Sequence, residues 1–132
     1  MFTMLKRSIA LMVALTTFTA MLSAQVHFET IWDNNGVDHM NFYVMGATIN
    51  DEAMETGDEI AVFDGNLCVG VGVWDTAVFG TNGYITFVAS RDDGTGNGYT
   101  QNNPVIYKAW DTSAQQEIAN DGIVVSYSAG GG

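Results

Sequence analysis

The side chains that carry most enzymatic chemistry are sparse in this chain and badly spaced for it. Its 132 residues hold two histidines, His27 and His39, and one cysteine, Cys68. Neither histidine has a second His or a Cys at ligand spacing, and a zinc site needs several such ligands. Asp58 and Glu59 offer adjacent carboxyls. Neighbours on an extended strand point to opposite faces, so the two cannot share one proton. A Gly-x-Ser-x-Gly elbow, a P-loop and an HExxH helix are all missing from the sequence. This inventory predicts a protein without catalytic activity. Cys68 lies in the apolar run Leu67-Cys68-Val69-Gly70-Val71. It reads as a small buried hydrophobe, with an intermolecular disulfide as the alternative. A single cysteine excludes a disulfide scaffold.

Binding chemistry is better represented. Two loops carry the carboxylate and amide oxygens that calcium takes. The first spans residues 33–38, with Asp33, Asn35 and Asp38 as candidate ligands. The second spans residues 92–98, with Asp92, Asp93 and Asn97. The second is not an EF-hand. Counting from Asp93, Asn97 and Gly98 fit, but the twelfth position is Pro104 instead of Glu. The competing reading is that these Asx and Gly residues simply make turns. Aromatic side chains offer a sugar-stacking platform, for which Trp74 and Trp110 are the candidates. The competing reading places them in the core or between strands.

These residues must be positioned by strands. Short runs rich in Val, Ile, Phe, Tyr, Trp and Thr recur, separated by Gly, Asn and Asp. Strands are predicted near residues 26–33, 40–50, 58–64, 67–75, 83–91, 104–111 and 122–128. Turn signals separate them at Asn35-Gly36, Asp64-Gly65, Asn82-Gly83, Asp93-Gly94 and Asp121-Gly122. Ile85, Phe87 and Ala89 share one face by the period of two, and so do Ile123, Val125 and Tyr127. Val69, Val71 and Val73 are expected on one face, with Gly70 and Gly72 opposite, leaving room for a bulky neighbour or a close backbone. Residues 111–120 show at most a helical turn. Seven or eight such strands predict an all-β protein, an antiparallel β-sandwich of immunoglobulin-like or jelly-roll type.

The first 24 residues have a different character. Lys6 and Arg7 precede an apolar stretch from Ile9 to Leu22, and Ser23-Ala24 supplies small residues for cleavage. This is the pattern of a secretory signal peptide, too short and too rich in threonine for a membrane span. Cleavage after Ala24 is expected, leaving one domain over residues 25–128 and a glycine-rich end at 129–132. That end is either a tail or the stump of a longer chain. The location implied is extracellular or on the cell surface. All fifteen acidic residues lie after the cleavage point, against the two basic residues Arg91 and Lys108, a net charge of −13. Such a surface repels phosphate backbones, so nucleic acid is excluded as a partner.

The central residues Gly57-Asp58-Glu59-Ile60-Ala61-Val62-Phe63-Asp64-Gly65 are followed by Leu67-Cys68-Val69-Gly70. Further on come Ile85 to Asp93, Gly98-Tyr99-Thr100, Asn103-Pro104-Val105 and Lys108-Ala109-Trp110-Asp111. Together they resemble a β-sandwich module of secreted and surface proteins of Bacteroidetes. The resemblance implies a sandwich, usually one module among several, with no enzymatic activity.

Assembly is the function these features favour. In the predicted strand 26–33, Val26, Phe28, Thr30 and Trp32 fall on one face at the freed end of the mature chain. Such a segment can add to the sheet edge of a neighbouring copy. Head-to-tail addition does not close and builds a filament. The expectation is therefore a self-assembling fibre subunit whose partners are copies of itself. A glycan-binding module and a calcium-stabilised adhesin module are the alternatives. The simplest competing reading pairs the strand within its own domain.

Overall fold

The computed structural model describes residues 26–32, 38–119 and 123. The predicted signal peptide 1–24, residues 33–37, the glycine-rich end and the predicted strand 122–128 apart from Ile123 lie outside the described residues. The described chain is all-β with one short helix: β1 (His39–Val44), β2 (Thr48–Ile49), β3 (Glu52–Ala53), β4 (Glu59–Asp64), β5 (Leu67–Val73), α1 (Thr76–Asn82), β6 (Ile85–Ser90), β7 (Ile106–Asp111) and β8 (Gln116–Ile118). β1 pairs with β6, β2 with β3, and the third sheet runs in the order β5-β4-β7-β8, all antiparallel. The main core joins the β1–β6 sheet to the four-stranded sheet. Ile85, Phe87 and Ala89 meet Ile60, Val62, Tyr107 and Ala109 there. This is the sandwich that the alternation predicts. Among the described residues, no helix is long and apolar enough to cross a membrane.

Turn chemistry fixes the short connections. Asn50 and Asp51 both adopt positive φ, 51° and 67°, as a two-residue hairpin requires. Gly65 starts the β4–β5 turn at φ 59°. Between β7 and β8, the Asp111 carboxylate accepts from Ala114 N–H and Ser113 Oγ and closes the loop.

Four expectations are corrected. Residues 26–32 form no strand. The predicted strand 40–50 is two strands, β1 and β2, separated by residues 45–47. Residues 111–120 hold a turn and β8 and no helical turn. Finally, Val69 and Val71 do not share a face. A bulge between Val62 and Phe63 opposes Val62 to Gly70 but Phe63 to Cys68, leaving Val69 as the extra residue. Val69 therefore packs in the main core with Gly70, while Cys68 and Val71 face the other side.

The helix α1 was not anticipated, and the reason is visible. None of its residues is buried, so it has no apolar period to read. Its ends are nevertheless defined. Asp75 accepts from Ala77 and Val78 N–H as N-cap, and Gly83 closes the other end at φ 77°.

The glycines of β5 allow the sheets to approach, as expected. A Cβ on Gly70 would lie 2.7 Å from the Val88 carbonyl oxygen and 2.9 Å from Val62 Cγ2. A Cβ on Gly72 would strike the Phe87 ring. The Val88 obstacle is backbone and cannot swing aside. Gly70→Ala should therefore lower unfolding free energy by about 2 kcal/mol through overpacking, read from urea denaturation. A loss below a few tenths would show that the two sheets separate without strain.

Candidate functional site

The four-stranded sheet has a second face, turned away from the main core. The register places Glu59, Trp110 and Glu117 in one row across β4, β7 and β8. The next rows hold Ala61 beside Lys108 and Phe63 beside Ile106. A second apolar cluster forms on this face from Phe28, Ala61, Phe63 and Cys68, with Val71, Ile106 and Trp110 packed against it. Phe28 comes from the N-terminal segment. Residues 26–32 thus lie on the outer face of the sheet.

Glu59 fastens that segment. Its side chain is 1% exposed, one of the largest fully buried side chains among the described residues. Oε1 accepts the backbone N–H of His27 at 2.6 Å, and Oε2 accepts that of Phe28 at 2.9 Å. A buried carboxylate without donors would cost several kcal/mol, so these bonds are a condition of its burial. Around this clamp, Phe28 meets Phe63 edge-on at 5.7 Å between ring centroids. His27 stacks on Trp110 at 3.7 Å and 6°. Trp32 donates its indole N–H to the carbonyl of Val69, the bulged residue, at 3.0 Å.

Charges at the rim complete the contact. His27 Nε2 lies 3.2 Å from Glu117 Oε2, and Lys108 Nζ lies 2.8 Å from Glu117 Oε1. The bond from Lys108, followed by that from His27, holds the Glu117 carboxyl below its ordinary 4.5. Lys108 also sits over the Phe63 ring at 4.8 Å. Cys68 is buried beneath, and burial pushes its thiol up from 9.0. It behaves as the small hydrophobe expected and is a poor nucleophile.

Asp58, next to Glu59, is buried as well but faces the loops. Its Oδ2 accepts from Glu55 N–H at 2.8 Å and its Oδ1 from Thr112 N–H at 2.9 Å. The two acids act on different partners, as their adjacency requires.

Of the four residues expected to anchor a donor strand, Phe28 is buried, Thr30 and Trp32 are half-buried, and Val26 is exposed. The intervening His27, Glu29 and Ile31 are exposed. The alternation is real, although the segment is not a strand. The glycan candidates are both covered. Trp74 is 4% exposed and packs on Phe79, while Trp110 has His27 on its face. The candidate calcium ligands among the described residues are engaged in local contacts. Asp33 and Asn35 lie outside the described residues, and Asp38 contacts Arg91 at 3.4 Å. Asp92 Oδ1 accepts from Gly94 and Gly96 N–H, Asp93 Oδ1 accepts from Thr95, and Asn97 is half-buried in the same loop. Among the described residues, no group of three or more His, Cys, Asp or Glu is placed to hold a metal ion. The Glu59 clamp is the feature that motif reasoning missed.

Comparison with models of known protein families, with curated proteins and with solved structures finds no match.

Two outcomes follow from this geometry. Glu59→Gln keeps the volume but turns an amide N–H₂ towards one backbone donor. It should cost about 2–3 kcal/mol in urea denaturation and raise amide exchange at residues 27 and 28. Unchanged exchange there would mean that the clamp does not hold the segment. Acid should loosen the same contact. The folded pKa of Glu117 is lowered, so its contribution is complete above pH 4.5 and is lost as pH falls through the lower folded value. Melting temperature followed from pH 6 to pH 3 should drop, and Glu117→Gln should flatten part of that drop. Asp93 and Asp111, held low by their own loop hydrogen bonds, account for another part.

Proposed function

We propose that this chain is a non-enzymatic extracellular structural or adhesive module, of the Bacteroidetes surface kind its central motif resembles. In this reading it joins copies of itself by passing residues 26–32 onto the outer sheet face of a neighbour. The observation that supports the reading is the Glu59 clamp, which holds the segment by backbone N–H groups while one aromatic, Phe28, fills the apolar cluster. Such a site recognises this irregular segment whether it belongs to the same chain or to another. Exchange between copies remakes every contact and needs no new surface. The donor is then an irregular segment bound across a face, where the sequence alone suggests edge addition. Where each copy donates to the next instead of returning the exchange, donor and acceptor are different surfaces, the contact runs head-to-tail and it builds a chain. The signal peptide would deliver the subunit outside the cell, and the acidic surface would keep assemblies dispersed.

Light scattering and negative-stain microscopy of residues 25–132 test the reading. Concentration-dependent linear oligomers are expected. A synthetic peptide of residues 25–33, added in excess, should shorten them by occupying the acceptor face. The same peptide carrying Phe28→Ala should have no effect. A monomer at every concentration that binds neither peptide would overturn the proposal.

A further inference from the structure

At the opposite end of β4, a cleft of about 200 Å³ opens between the β1–β6 sheet and the segment 99–105. We infer that this cleft binds one ring of a neutral saccharide. The inference rests on the polar rim at residues 99–103, which the assembly reading does not use; Val69 and Phe63 alone touch both sites.

Size sets the first limit. Drug-sized ligands occupy about 300–1,000 Å³, so this space suits something nearer a single sugar ring. The floor is apolar, formed by Phe42, Val62, Val69 and Ala89. A sugar ring presents a face of C–H groups that such a floor can cover, with hydroxyls around its edge. The rim supplies the matching polar groups. Thr100, Gln101, Asn102 and Asn103 border the opening, with Arg91 and Asp38 on the other side.

The charged groups at the rim already have protein partners. Arg91 pairs with Asp38 at 3.4 Å. Asp64 accepts from Thr100 N–H at 2.6 Å and from Asn103 Nδ2 at 2.8 Å. Those two bonds, with Asn103 N–H donating to the Thr100 carbonyl at 3.2 Å, form the turn that presents Gln101 and Asn102. The amides of Gln101 and Asn102 have no partner among the described residues, and both side chains are exposed. Each amide offers donors and an acceptor in one plane, which is what vicinal hydroxyls require. The groups left to a ligand are therefore neutral. An anionic sugar would also meet the net charge of the chain, −11 over all 132 residues. An extended peptide would need an open sheet edge, and this rim is a closed turn.

The hollow beside Trp74 fits less well. Gly46, Ala47, Met54, Trp74 and Phe79 line it, and its polar side-chain groups among the described residues are the hydroxyls of Thr48 and Thr76 and the indole N–H of Trp74, with no amide beside them. Nothing there fixes a ring of hydroxyls.

The test uses the mature chain, residues 25–132, on an array of neutral hexose and pentose oligosaccharides. The best hit is then titrated at millimolar concentration by amide NMR. Shifts at Arg91 and residues 99–103 are expected. The double variant Gln101→Ala, Asn102→Gly should weaken binding about tenfold, the loss of two modest hydrogen bonds, at unchanged melting temperature. Glycine is chosen at position 102 because Asn102 has φ 73°. Val78→Ala, on the exposed side of α1 away from the cleft, should bind as the parent does. The inference fails if no neutral saccharide binds at millimolar concentration or if only acidic glycans bind. It also fails if the double variant binds unchanged, or if Val78→Ala loses binding as far as the double variant does. None of these results depends on whether the chain polymerises.

Discussion

A carboxylate buried in the middle of a sheet face is stable only where donors reach it, and Glu59 sets that condition for much of this molecule. Its donors are two backbone N–H groups of a segment with no secondary structure of its own. The dependence runs both ways. Among the described residues, residues 27 and 28 have no ladder to satisfy them, and Phe28 is buried in the cluster with Ala61, Phe63 and Cys68. Glu59, Ala61 and Phe63 would lie open to water without the segment. Strand β4 is consequently buried on both faces, from Glu59 to Phe63. Antiparallel sheets more commonly leave one face to water.

The same strand organises both ends of the sandwich through acids used as acceptors. Asp58 takes the N–H groups of Glu55 and Thr112, Glu59 those of His27 and Phe28, and Asp64 that of Thr100. The stretch from Gly57 to Gly65 is thus an apolar strand between carboxylates that gather four separate chain segments. Hydrogen bonds with a charged acceptor are among the stronger ones. Three such acids on one six-residue element and its flank explain how a small domain with short strands holds its loops in place.

Much of the sandwich was legible because its signal is local. Alternation at Ile85, Phe87 and Ala89 and the apolar run of β4 each report burial directly. What escaped depends on partners remote in sequence or on single-residue irregularities. The bulge at Val69 shifts a register by one, and no composition announces it. The segment 26–32 shows why alternation can mislead. A period of two says which side chains turn inward, and a docked segment without ladder partners produces it as readily as a strand does. The candidate site was hidden for the same reason. An unbroken Ile60-Ala61-Val62-Phe63 run implies that something covers the outer face, but not what. Helix α1 left only its caps, Asp75 and Gly83, as a trace.

The placement of the aromatics decides what kind of surface is left for recognition. Trp74 is in the core, the Trp32 indole is committed to a backbone carbonyl, and Trp110 is covered by His27. Stacking platforms are thereby spent on holding the fold and its N-terminal segment together. The acids are partly spent too, on N–H groups and on the few cations present. Among the described residues, the amides of Gln101 and Asn102 stay uncommitted beside a concave space at the Asp64 end, over an apolar floor that belongs to the main core. If the cleft binds a saccharide as proposed, its recognition falls to neutral side chains on a turn that Asp64 fastens, while the aromatic residues Trp32, Trp74 and Trp110 hold the fold and its N-terminal segment together.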